Sequence, residues 1–177
     1  VGGATAKRLL VEGASVVITD IDPAALDEAL AALQEEHGKD RVRAFRCDVT
    51  DEASVRASYA YALRERGGLD ILVSNAGIAS AAPVEETSIE LWSRNLGILA
   101  TGYFLVSRDA FALMKRQGIG GSIVFIGSKN ALVASGGASA YCSAKAAATH
   151  LARCLALEVA EIGVRANVVN PDAVIRG

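Results

Sequence analysis

Several things are scarce in this chain of 177 residues: aromatics are 5%, and there are three prolines, three cysteines, two histidines and one tryptophan. The cysteines, at 47, 142 and 154, are odd in number and form no C-x-x-C pair, which argues against a disulfide framework and a zinc cluster. That usage fits a reducing compartment, the cytoplasm. Basic excess is lacking too. With 18 Lys+Arg against 20 Asp+Glu, nothing in the charge balance supports a nucleic-acid partner. The longer uncharged stretches, 71–84 and 130–144, are broken by Gly, Ser and Asn, short of the roughly 20 apolar residues of a spanning helix, so no membrane span is expected. Neither an initiator Met nor a signal-peptide pattern opens the sequence, and Val1-Gly2-Gly3-Ala4 already reads as the start of a helix. Half of the residues are apolar, enough to exclude a disordered chain and to build one ordinary core.

Short β-branched runs alternate with longer Ala/Leu-rich helical patterns. The strands are expected at Ser15 to Thr19, Val42 to Cys47, Ile71 to Ser74, Ser122 to Ile126 and Arg165 to Val169. Helices are expected at about 4–12, 23–37, 51–66, 87–117 and 138–162, with Pro23 in a first turn and Thr50 as an N-cap ahead of Asp51 and Glu52. Strands that are continuously apolar suit a parallel sheet covered on both faces. The pattern predicts an α/β, doubly wound parallel sheet (a Rossmann fold) with ligands at the strand carboxyl ends. No repeat, low-complexity tract or linker divides 1–177, so a single dinucleotide-binding domain is expected.

Polar residues gather at those ends. Asp20 closes its strand 18 residues after Gly2, near the roughly 20-residue spacing of the acid that holds an adenosine ribose. A carboxylate there accepts both ribose hydroxyls and repels a 2′-phosphate, favouring NAD over NADP; alternatively Asp20 begins a turn or caps the next helix. Asp48 follows the second strand. Asn75-Ala76-Gly77 follows the third, where small residues let backbone approach a flat ligand and Gly77 is a candidate for a positive-φ turn.

The strongest signal is Tyr141 with Lys145 at i, i+4 on one helix face, and Ser128 thirteen residues upstream of Tyr141 at a strand end. On an arbitrary helix such a pair is ordinarily a surface contact, ring on lysine stem. Beside an ammonium a phenolate is favoured, so Tyr141 could exchange a proton with a hydroxyl that Ser128 holds.

Together these residues resemble the short-chain dehydrogenase/reductase family through essentially the whole chain. Gly2 matches the last glycine of its T-G-x-x-x-G-x-G turn, Asp20 the ribose acid, Asp48 the adenine-contacting acid and Asn75-Ala76-Gly77 the N-A-G motif. Ser128, Tyr141 and Lys145 match the catalytic serine and Y-x-x-x-K, and Asn170-Pro171 the segment before the substrate loop. The resemblance implies an NAD-dependent oxidoreductase exchanging hydride between nicotinamide and a small alcohol/aldehyde pair. Tyr141 would be the acid/base, Lys145 would tune it and bind the nicotinamide ribose, and Ser128 would orient the substrate oxygen. No metal is implied.

A closer resemblance, carried by Ser128 to Leu132, Tyr141 to Ala147, Arg153 to Glu158 and Asn170 to Val174, is to the dehydrogenase half of bifunctional rhamnulose-1-phosphate aldolase/alcohol dehydrogenases. It implies an upstream aldolase domain and lactaldehyde as substrate. Other readings are a carbonyl reductase of different substrate, a relative performing epimerisation or dehydration, and a catalytically silent nucleotide-binding domain. The family's helices equivalent to 87–117 and 138–162 form a four-helix dimer interface, which implies a homo-oligomer.

Two positions depart from the family. Leu99 stands where an asparagine is usual, and Asn95, four residues earlier, either substitutes through a water or is a polar residue of the helix. Asp172 replaces the glycine after Pro171 and either accepts from the nicotinamide carboxamide or caps a turn. His37, His150, Cys142, Trp92 and Phe104 read as ordinary helix or packing residues. A complete member has roughly 250 residues. The chain is therefore expected to be an inactive fragment, lacking the first strand, which in the order 3-2-1-4-5-6 lies mid-sheet, and the segment beyond Gly177 that covers the substrate.

Overall fold

The computed structural model describes residues 1–172 and 174; Ala173 and residues 175–177, with the expected start of a substrate cover at Gly177, lie outside the described residues. The chain divides into two compact units, Val1–Leu69 and Asp70–Gly177.

The first unit runs α1 (Gly2–Val11), β1 (Val16–Asp20), α2 (Pro23–His37), β2 (Val42–Arg46) and α3 (Glu52–Arg66). Pro23 occupies the start of α2, where a missing N–H is harmless, and Asp22 caps it by accepting from the Ala24 and Ala25 N–H groups at 2.9 and 3.3 Å. The cap of α3 is Asp51, not Thr50 as the sequence suggested. Thr50 instead gives its hydroxyl and its N–H to Asp48, at 2.7 and 2.9 Å, because the short acidic side chain already closes the turn there. β1 and β2 pair in parallel from Val16↔Val42 to Asp20↔Arg46. Ala6, Leu10, Leu33 and Val42 form the core, with Val16, Ile18 and Leu30 packed against it.

The second unit holds β3 (Ile71–Ser74), α4 (Ile89–Leu96), a π-helical turn at Gly97–Thr101, α5 (Gly102–Gln117), β4 (Gly121–Ile126), α6 (Ser139–Val159) and β5 (Val164–Val169). Its three strands are parallel in the order β3-β4-β5. Among the described residues the strands form two separate parallel sheets, β1-β2 in the first unit and β3-β4-β5 in the second.

The expected 87–117 helix is one run, Ile89–Gln117, long and apolar enough by length and composition to cross a bilayer. Counting charge-free runs passed over it because Arg108 and Asp109, paired at 3.0 Å, interrupt it. Asn95, Leu99, Tyr103, Ala110 and Met114 lie on it at most 1% exposed, so its apolar face builds the core of this unit. Phe104, read as a packing residue, is exposed instead, with the Arg108 guanidinium 5.6 Å from its ring centroid.

Candidate active site

Downstream of Gly2 the candidate residues sit at or just past the carboxyl end of a strand, except Tyr141 and Lys145, which lie on α6. In the first unit Gly2 opens α1, whose N-cap Val1 has no capping side chain. Asp20 ends β1, exposed, and one of its oxygens accepts the Asp22 N–H at 3.0 Å. Asp48 lies just beyond β2, its N–H donated to Ser54 Oγ at 3.0 Å and its Oδ1 shared by the two Thr50 groups.

In the second unit Asn75-Ala76-Gly77 leaves β3. Gly77 is not among the positive-φ glycines, so the turn expected there is absent. Its constraint is contact: a Cβ would lie 3.1 Å from Leu99 Cδ2. The loop that follows is tied down by Ala82, whose N–H donates to Gly137 O at 2.8 Å, and by Ser80, whose hydroxyl donates to Asn95 Oδ1 at 3.0 Å. Asn95 is fully buried, donates its Nδ2 to Leu91 O at 2.8 Å and through Oδ1 holds the β3 loop.

Past β4, Gly127 approaches β5 so closely that a Cβ would meet Asn170 Oδ1 at 2.1 Å. That oxygen accepts the Ser128 N–H at 3.0 Å, and Lys129 N–H donates to Pro171 O at 2.9 Å. Asp172 pairs with Lys129, a role that sequence reading did not foresee. Ser128 is 9% exposed; its Oγ accepts the Asn130 N–H at 3.2 Å, which leaves its O–H to donate. Asn130 reaches Cys142 Sγ at 3.5 Å, attaching the serine turn to α6 beside Tyr141.

Tyr141 and Lys145 share α6, but the hydrogen bonds of Lys145 go elsewhere. Its ammonium, on a side chain 4% exposed, donates to Ile126 O at 2.7 Å and to the Tyr103 hydroxyl at 3.2 Å. Burial pulls its pKa down to about 8. Tyr103 donates its own hydroxyl to Ile126 O at 2.8 Å, and burial, then the neighbouring Tyr141, pushes that phenol well above the usual tyrosine range. Sequence reading missed Tyr103. The available signal was a tyrosine in the buried stripe 95-99-103-110-114, where a phenol needs a polar partner.

The short chain dehydrogenase family profile matches residues 1–175. The chain belongs to the short-chain dehydrogenases. The uncharacterized oxidoreductase YuxG of Bacillus subtilis is 45% identical over 177 residues, covering 100% of this chain and 26% of that protein. D-threitol dehydrogenase of Mycolicibacterium smegmatis is 35% identical over 99% of this chain and 66% of its own length. An NAD+-bound xylitol dehydrogenase structure superposes with a TM-score of 0.94 at 32% identity, over 99% of this chain and 67% of that one. This short-chain dehydrogenase sequence thus spans between a quarter and two thirds of these relatives. Each unit by itself holds a group that suits part of a nicotinamide nucleotide: in the first, Asp20 presents an exposed carboxylate at a strand end, and in the second, the buried Lys145 ammonium has a third N–H beyond the two bonds described.

Proposed function

We propose that this chain is the dinucleotide-binding part of an NAD-dependent oxidoreductase acting on a small alcohol/aldehyde pair, lactaldehyde being the first candidate. The observation that carries this reading is the buried Lys145 ammonium on the carbonyl of Ile126, two residues before Ser128 and one turn along α6 from Tyr141. Gly2 with the α1 N-terminus, Asp20, Asp48, Asn75, Ala76, Gly77, Tyr141, Lys145 and Pro171 would hold the cofactor. NAD, when bound, supplies the hydride acceptor. Ser128 donates its hydroxyl hydrogen to the substrate oxygen, Tyr141 takes the alcohol proton at its phenol oxygen, and Lys145 directs its third N–H to a ribose hydroxyl.

The short coverage of YuxG supports the picture of such a domain carried in a longer polypeptide, with an aldolase upstream as the proposed neighbour. The free thiols at 47, 142 and 154 suit a cytoplasmic enzyme, and α5 with α6 are the faces proposed for a homo-oligomer. A second reading, a silent nucleotide-binding domain, draws on Leu99 standing where the family has asparagine.

The test is NAD reduction by the full-length protein with 1,2-propanediol, lactaldehyde and unrelated alcohols, beside Tyr141→Phe. Turnover should fall about 10²–10⁴-fold in the variant while NAD affinity stays within twofold. Absence of turnover with every alcohol favours the silent reading, and equal loss of binding and turnover removes Tyr141 from the proton transfer.

A further inference from the structure

The strongest observation outside the expected site residues is the closed arrangement of Lys145, Tyr103 and the Ile126 carbonyl. The carbonyl accepts from both side chains, at 2.7 Å from Nζ and 2.8 Å from the phenol, while the phenol oxygen accepts from Nζ at 3.2 Å. The same Nζ is 5.0 Å from the ring centroid. Together with the short distance to the hydroxyl, this puts the ammonium off the phenol end of the ring, so the contact is a hydrogen bond rather than a face-on cation–π pair. Tyr103 is itself immobilised: it is 1% exposed and packs edge-on to Phe125, ring centroids 5.1 Å apart at 89°.

An ammonium this deeply buried needs acceptors, and each one left out is costly. Leu99, one turn before Tyr103 on the same buried stripe, carries no polar atom in its side chain and packs at Gly77. The side-chain acceptor for Lys145 therefore comes from position 103. The titratable groups around Lys145 are Tyr103 from α5 and Tyr141 from its own helix; β4 offers the Ile126 carbonyl, and Ser128 follows it.

We propose that Tyr103 is a positioning residue, whose phenol oxygen holds the Lys145 ammonium charged and aimed so that one N–H stays available for the bound cofactor. This deepens the oxidoreductase reading and rests on it only for the cofactor. Tyr103 takes no proton in the reaction: with its phenol pushed far up, it stays neutral through the working pH range. Its effect passes through the lysine.

The experiment is competitive amine labelling of the full-length protein against pH, read by mass spectrometry at Lys145 with exposed Lys7 as the internal control, without cofactor. Wild type should label Lys145 with a pKa near 8. Tyr103→Phe keeps the ring against Phe125 but removes the acceptor that favours the charged form, so the labelling pKa should fall by about one unit while Lys7 is unmoved. In turnover assays the alkaline fall of kcat should shift down with it, with KM for the alcohol changed less than twofold. If Tyr103→Phe does not fold, Tyr103→Met provides the same reading with the ring removed. An unchanged Lys145 labelling pKa in the folded variant overturns the proposal, whatever turnover does. Failure of the wild type to oxidise any alcohol counts against the oxidoreductase reading, and the labelling result still decides the role of Tyr103.

Discussion

At Asp20 the turn contact and the proposed ribose contact fall to the same carboxylate. One oxygen accepts the Asp22 N–H at 3.0 Å, the local role that the sequence offered as its alternative, and this bond fixes the side chain at an exposed strand end. In the proposed ribose site, a carboxylate so held would repel a 2′-phosphate by like charge. Asp20→Ala is therefore expected to raise the ratio of kcat/KM for NADP over NAD about tenfold, equivalent to about 1.4 kcal/mol. Steady-state kinetics with both cofactors checks it, and an unchanged ratio removes Asp20 from the ribose site. Single residues were only partly legible. Asp20 announced itself by spacing and Asp48 by its place after a strand, whereas the Lys129–Asp172 pair and the Ser80–Asn95 bond depend on loops whose paths no local pattern encodes.

At the scale of elements, the strands and helices follow from apolar period, and they fall within a few residues of where that period puts them. The π-helical turn at Gly97–Thr101 does not. An i→i+5 turn is a tertiary compromise inside an otherwise ordinary helical period, and such turns cluster near functional sites. The joint between β4 and β5 is equally non-local. A methyl group at Gly127 would collide with Asn170 Oδ1 at 2.1 Å, the atom that receives the Ser128 N–H. Gly127→Ala should thus destabilise the protein by about 1–3 kcal/mol and lower kcat through a displaced Ser128. Urea unfolding paired with kinetics tests this; wild-type stability would show that the joint has room.

For the molecule as a whole, burying Lys145 couples folding to pH. Below about pH 8 the ammonium is charged in the folded and unfolded chain alike, so its burial costs stability in full. Between 8 and the ordinary 10.5 the unfolded chain binds more protons, and stability rises with pH. Relative to Lys145→Met, the wild type should gain about 2 kcal/mol from pH 7 to pH 9.5. Urea titrations followed by Trp92, the single tryptophan, measure the difference. A flat difference would mean that the ammonium is hydrated when folded.

The sequence by itself determined the α/β class, the parallel strands, the family and the placing of candidate residues at strand ends, because period, turn chemistry and motif spacing are local properties of a chain. Tertiary structure alone decided what those residues touch. It gave Lys145 the phenol of Tyr103, 42 positions away, set Asn95 to hold a loop, and made Gly77 a contact rather than a turn. Burial and hydrogen-bond partners are relations between segments distant in sequence, so they become definite only when the strands and helices pack.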